Sequence, residues 1–215
     1  MPQPDLLRGA RRIACLGDSI TEQGDAPGGY VSILREEANR LYPEPGIEVI
    51  GAGVGGNRSN DMRSRFQGDI LRRRPDFFTL SCGINDVWSG FDPFHPDGGG
   101  PRAVSLSAYR RNIQAMVEAA QAERVLAVVL STTVLEEDAN SKGNLLLKDY
   151  NAILKHIADL TGSPHIDLYT PFLEEIARHR AETGDRKLWL TVDGVHLNGR
   201  GNALMARLIL AGISG

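Results

Sequence analysis

The chain has 215 residues, 41% of them hydrophobic and 24% charged, a balance that suits a globular fold and excludes collagen, coiled coil and intrinsic disorder. Its net charge of −3, from 24 basic and 27 acidic side chains, leaves no electrostatic footprint for nucleic acid or an anionic membrane surface. No run approaches the roughly 18 apolar residues of a membrane span, and residues 1–12 lack the apolar core of a secretory signal, so a cytoplasmic protein with one domain over 1–215 is expected.

Strand-length apolar runs alternate with longer amphipathic segments. The runs cover 12–17, 47–51, 76–82, 125–132 and 164–167. Helical spacing covers 30–41, 60–73, 107–122, 145–160, 171–181 and 199–213, with Ser107 read as an N-cap. This alternation predicts an α/β domain with a five-stranded parallel sheet. A run as apolar as residues 125–130 suits a strand covered on both faces, so three layers, α/β/α, are expected. Two connections are long, 87–106 and 133–144, and the first is rich in Gly and Pro; such loops commonly carry function.

Cys15 and Cys82 sit inside apolar runs and read as core residues. There is no C-x-x-C or H-E-x-x-H, and the histidines are scattered, so no metal is expected.

In an open α/β sheet, ligands bind beyond the carboxyl ends of the strands. The first run ends Gly17-Asp18-Ser19-Ile20, the second leads into Gly53-Val54-Gly55-Gly56-Asn57, and the third into Gly83-Ile84-Asn85-Asp86. Just before the last helix stands Asp193-Gly194-Val195-His196, an acid and an imidazole in one tight turn. Such a pair can fix which ring nitrogen carries the proton.

In this order, and over residues 17–196, these blocks resemble those of the SGNH (GDSL-type) hydrolases. Ile20 stands where the family name has Leu, and the second block reads Gly-Gly-Asn where Ser-Gly-Asp or Ser-Gly-Asn is frequent; neither departure touches the chemistry. The resemblance implies a flavodoxin-like sheet of order 2-1-3-4-5 and cofactor-free hydrolysis of carboxylic esters through an acyl-enzyme. It implies Ser19 as nucleophile, His196 as its base and Asp193 as the group that orients His196. It also implies an oxyanion hole built from the N–H of Ser19, the N–H of Gly56 and the Asn85 side chain. The chemistry needs these types: a hydroxyl is a weak nucleophile without an adjacent base, and the tetrahedral oxyanion needs fixed donors.

Other polar residues have plainer readings. Asp18 and Asp86 read as loop anchors, His156, His165 and His179 as structural or solvated, and the run 72–74 of arginines as a solvated helix end. Trp88, Phe91, Phe94 and His95, with Val134 and Leu135, are candidates for a compact, partly aromatic pocket over Ser19. That pocket favours a small acyl group, so a small-molecule, short-chain acetyl ester is the expected substrate, with O-acetyl carbohydrates as the nearest specialised form; lysophospholipids and thioesters are the family's other choices.

Two rivals compete. Residues 51–56 match G-x-G-x-x-G after a strand, yet the segment that follows lacks the apolar face of a dinucleotide-binding helix, and no acid follows the next strand for a ribose. A non-catalytic binding module on the same fold is disfavoured because Ser19, Gly56, Asn85, Asp193 and His196 are all present. The usual α/β-hydrolase scaffold drops out, since its G-x-S-x-G elbow is missing.

Overall fold

The strands are β1 (Arg12–Gly17), β2 (Glu48–Gly53), β3 (Phe77–Leu80), β4 (Leu126–Leu130) and β5 (His165–Ile166). In this computed structural model, which describes residues 5–214, they form one parallel sheet of order β2-β1-β3-β4-β5, as expected. Residues 1–4, part of the segment read for a signal, and residue 215 lie outside the described residues. Each of β1, β3 and β4 is apolar and buried along nearly its whole length, which is what a strand covered on both faces requires. Phe77, Phe78 and Leu80 of β3 are almost fully buried, and each such side chain contributes about 1.5–3 kcal/mol of transfer free energy.

The helices are α1 (Ser19–Gly24), α2 (Tyr30–Leu41), α3 (Ser59–Asp69), α4 (Ile84–Trp88), α5 (Leu106–Ala122), α6 (Lys142–Thr161), α7 (Tyr169–Thr183) and α8 (Gly199–Ile213). One set, α1, α2 and α8, packs together, and another, α3, α5 and α6, packs on the other side of the sheet, giving the three-layer α/β/α fold. Among the described residues no helix is long and apolar enough to cross a membrane.

Several boundaries differ from expectation. The N-cap of α5 is Ser105, whose hydroxyl accepts the Ala108 N–H at 3.4 Å; Ser107 lies inside the helix, its hydroxyl 3.3 Å from that of Ser105. Either serine suits the sequence pattern, and the earlier start lets Leu106 begin the helix. The arginine run does not end a continuous helix: a 3₁₀ turn covers Leu71–Arg73, and Arg74 takes a left-handed φ of 49°. Arg73 instead offers its carbonyl to Arg12 at 2.6 Å. Two short helices, α1 and α4, follow β1 and β3 within a few residues, where no helix was expected.

Gly53, the last residue of β2, serves packing. A Cβ on Gly53 would sit 2.1 Å from the Glu22 backbone nitrogen and 2.5 Å from the Thr21 carbonyl carbon, so only glycine lets α1 lie against β2. The first strand pairs Gly17 with Gly53 and Leu16 with Leu80, which brings the carboxyl ends of β1, β2 and β3 to one level.

Candidate active site

Ser19 opens α1 immediately beyond β1, where Asp18 caps the helix by accepting the Ile20 N–H at 3.0 Å. The cap fixes the backbone at the one position where the chain leaves the sheet edge. From the far end of the sequence, the turn before α8 brings His196 to it: Nε2 of His196 lies 3.0 Å from Oγ of Ser19. Nδ1 of His196 lies 2.6 Å from Oδ2 of Asp193. The other carboxylate oxygen of Asp193 accepts the N–H of Val195 at 3.0 Å and of His196 at 2.8 Å, so the acid shapes its own turn while holding the ring. Burial pushes the Asp193 carboxyl up, but the hydrogen bonds from the His196 ring and from these two N–H groups outweigh it and leave the pKa below the ordinary value. An ionised Asp193 beside Nδ1 stabilises a proton on that nitrogen and leaves Nε2 free to face the serine.

The second and third blocks close on Ser19 from either side of β1. A Cβ on Gly55 would lie 3.8 Å from Cβ of Ser19, which sets the loop after β2 against the serine. Gly56, with φ of 74°, turns that loop in a conformation that favours glycine. Asn85 stands in the first turn of α4, buried, and donates one amide hydrogen to the Asn57 carbonyl at 3.2 Å, tying the two loops together. Its amide carries a second hydrogen, available to a ligand.

Asp18 and Asp86 are placed as anchors. Asp86 is fully buried and accepts both the N–H of Ser59, at 3.0 Å, and its hydroxyl, at 2.5 Å, pinning α3 to α4. Burial raises the carboxyls of Asp18 and Asp86 to about 6. Sequence reasoning did not single out Arg65, on α3. Its guanidinium donates to the Gly17 carbonyl at 2.8 Å, the Ala52 carbonyl at 3.0 Å and the Asn57 side chain at 2.6 Å, so one rigid fork spans the ends of β1 and β2 and the loop after β2. Nothing in the local pattern distinguishes it from other surface arginines of α3.

The candidate pocket residues separate. Trp88, Phe91 and Leu135 line a cavity of about 320 Å³ together with Glu136, Asp193 and Val195. Val134 is fully buried in the core and does not line the cavity. Phe94 is 89% exposed and does not line the cavity. His95 turns to Asp92, with Nδ1 2.9 Å from Oδ1, in the same loop. His156 accepts from Arg110, His165 opens β5, and His179 stacks on Trp189. Both cysteines are buried and free. Among the described residues no group of three or more His, Cys, Asp or Glu side chains is placed to hold a metal ion.

The sequence model of the GDSL-like lipase/acylhydrolase family matches residues 15–204. The chain belongs to this family. Its blocks at the ends of β1, β2 and β3 and before α8 all fall inside the match, and membership makes it a carboxylic ester hydrolase. This GDSL-like hydrolase is 26% identical over 211 residues to the acetylxylan esterase of Geobacillus stearothermophilus, covering 93% of this chain and 92% of that one. Its fold is similar to the crystal structure of the acetyl xylan esterase AlAXEase, with a TM-score of 0.84 and 28% identity over 94% of this chain and 99% of that chain. It is likewise similar to Axe2, an acetylxylan esterase from Geobacillus stearothermophilus, with a TM-score of 0.81 and 26% identity over 95% and 94% of the two chains. Catalytic mutants of Axe2 have been solved in which a serine, an aspartate or a histidine is replaced by alanine, the aspartate three positions before the histidine.

Proposed function

We propose that the protein is a serine esterase that removes acetyl groups, with O-acetylated carbohydrate as its substrate class, and that Ser19, His196 and Asp193 carry the reaction. The observation that carries this reading is the unbroken series of contacts from Asp193 Oδ2 through the His196 ring to Ser19 Oγ, at 2.6 and 3.0 Å. His196 takes the Ser19 proton on Nε2 as Oγ forms a bond to the ester carbonyl carbon. Asp193 stabilises the imidazolium that results, and the N–H groups of Ser19 and Gly56 with the Asn85 amide receive the oxyanion. The tetrahedral intermediate then expels the alkoxide, which takes the proton from His196 and leaves as the free alcohol. Water repeats the cycle on the acetyl-Ser19 ester: His196 accepts its proton, acetate departs, and Ser19 regains its hydrogen.

The acetyl preference is supported by the relatives, which act on acetyl esters, and the cavity of Trp88, Phe91 and Leu135 lies beside Asp193, where a substrate could sit. The carbohydrate side is supported by the acetylxylan esterases, whose matches to this chain run nearly end to end. Hydrolysis of p-nitrophenyl acetate, butyrate and octanoate, alongside acetate release from acetylated xylo-oligosaccharides and other O-acetyl sugars, tests both. The expected result is kcat/KM falling with acyl length and acetate released from at least one sugar. Octanoyl esters outrunning acetyl esters would end the acetyl assignment.

A further inference from the structure

We infer that Glu137 is a positioning residue for Asp193 and His196, holding the turn that carries them at the register where His196 meets Ser19; this rests on the reading of those three residues given above. Glu137 lies in the connection between β4 and α6 and is 2% exposed. Its Oε2 accepts the Trp189 N–H at 2.6 Å. Its Oε1 accepts the Leu190 N–H at 2.7 Å, the Thr191 N–H at 2.8 Å and the Thr191 hydroxyl at 2.8 Å. All the donors belong to three consecutive residues, and Asp193 follows two positions later.

The clamp extends into the catalytic turn itself. Having donated to Glu137, the Thr191 hydroxyl accepts the Gly194 N–H at 3.2 Å. The Gly194 carbonyl in turn accepts the Glu136 N–H at 2.7 Å. The turn is therefore tied on both sides of Asp193 to adjacent residues of one segment. That segment has its own frame: Asn144, at the start of α6, accepts the Leu135 N–H at 3.0 Å and donates to the carbonyls of Glu136, at 3.2 Å, and Asp138, at 2.7 Å. Leu135 and Glu136 also form the cavity wall next to Asp193. One run of residues thus sets both the wall of the pocket and the height of the imidazole.

A plain structural role, satisfying buried N–H groups, predicts a change in stability alone. Positioning predicts more, because misplacing a reacting group by about 1 Å costs on the order of 100-fold in rate. Glu137→Gln is the sharp variant: its amide nitrogen must face either the Trp189 donor or the three donors at Oε1, so at least one hydrogen bond is replaced by donor-to-donor repulsion. Thr191→Val is the milder one, removing only the hydroxyl that bridges Glu137 to Gly194.

The experiment compares wild type, Glu137→Gln, Thr191→Val and Ser19→Ala on p-nitrophenyl acetate, with the melting temperature and the low-field proton NMR spectrum of the His196 ring recorded for each. The expected result for the two clamp variants is a folded protein with kcat down about tenfold to a hundredfold, KM within about twofold, and the proton signal of the Asp193–His196 hydrogen bond shifted or lost. A folded Glu137→Gln with wild-type kcat, or a loss of rate with that proton signal unmoved, overturns the inference. Full activity in Ser19→Ala would instead overturn the reading of the site on which it stands, so the two failures are told apart.

Discussion

Ser19 and His196 are 177 positions apart in the chain and 3.0 Å apart at Oγ and Nε2. Two separate structural decisions make that contact. Parallel pairing of β1 with β2 and β3 sends Ser19 to the carboxyl edge of the sheet, and the turn before α8 carries His196 over it.

Asn85→Ala removes one of the proposed oxyanion donors while leaving Ser19 and His196 in place. Loss of such a donor typically costs about 10²- to 10³-fold in kcat, or roughly 2.7–4 kcal/mol of transition-state stabilisation. The expected outcome is that loss with little change in melting temperature. A variant with near-wild-type kcat on p-nitrophenyl acetate would strike Asn85 from the oxyanion hole.

Asp193→Asn keeps an oxygen for the N–H groups of Val195 and His196 but no longer carries a charge beside Nδ1. The equivalent change in a serine protease lowers kcat by about 10⁴ by favouring the wrong tautomer. A loss of about that order, in a protein whose melting temperature falls only modestly, is expected here. Retention of a tenth or more of the activity would mean that Asp193 does not orient the imidazole.

Asp18 ties stability to pH. Burial raises its carboxyl from 3.8 to about 6, so the folded protein holds this proton more tightly than the unfolded chain does. Its favourable share of stability is present below the unfolded pKa and is lost as pH rises through about 6. At neutral pH the charged, buried form costs on the order of 2–3 kcal/mol. Asp18→Asn retains an oxygen to cap α1 and cannot ionise. Its melting temperature at pH 7 is expected to equal or exceed that of wild type, with a shallower decline between pH 4 and 6; Asp86, raised to about 6 for the same reason, keeps part of that decline. Asp193 works in the opposite sense, since its lowered pKa gives stability that is lost on acidification. A lower melting temperature at pH 7 with an unchanged slope would contradict this assignment.

Gly53→Ala places a methyl 2.1 Å from the Glu22 nitrogen, inside the backbone of α1. Relief requires α1, and Ser19 with it, to move away from β2. Overpacking of this kind costs typically about 1–3 kcal/mol and sometimes more. The variant should therefore lose both stability, by urea unfolding, and esterase activity. The same close approach accounts for the middle glycine of the G-x-G-x-x-G match over residues 51–56, and the positive φ of Gly56 for the last.

Much of this architecture is legible in the sequence because burial on both faces writes near-continuous apolar runs at β1, β3 and β4, and each run is punctuated by a short polar block at its carboxyl end. The short helices are not legible. At six residues α1 and at five residues α4 span fewer than two turns, too little for periodicity to show. Val134 and Leu135 look alike in sequence and are both buried, yet only Leu135 also lines the cavity, a distinction that composition does not carry. Nothing in the sequence singles out Glu137; only the packed structure turns the N–H groups of residues 189–191 toward it.

The most direct test is the turnover of p-nitrophenyl acetate by Ser19→Ala beside wild type, each shown to be folded by its melting temperature, without added metal or cofactor. If Ser19 is the nucleophile, kcat falls by at least about 10⁴-fold, the scale on which loss of a serine nucleophile acts in serine hydrolases. Hydrolysis by folded Ser19→Ala at a rate comparable to wild type would place the chemistry elsewhere.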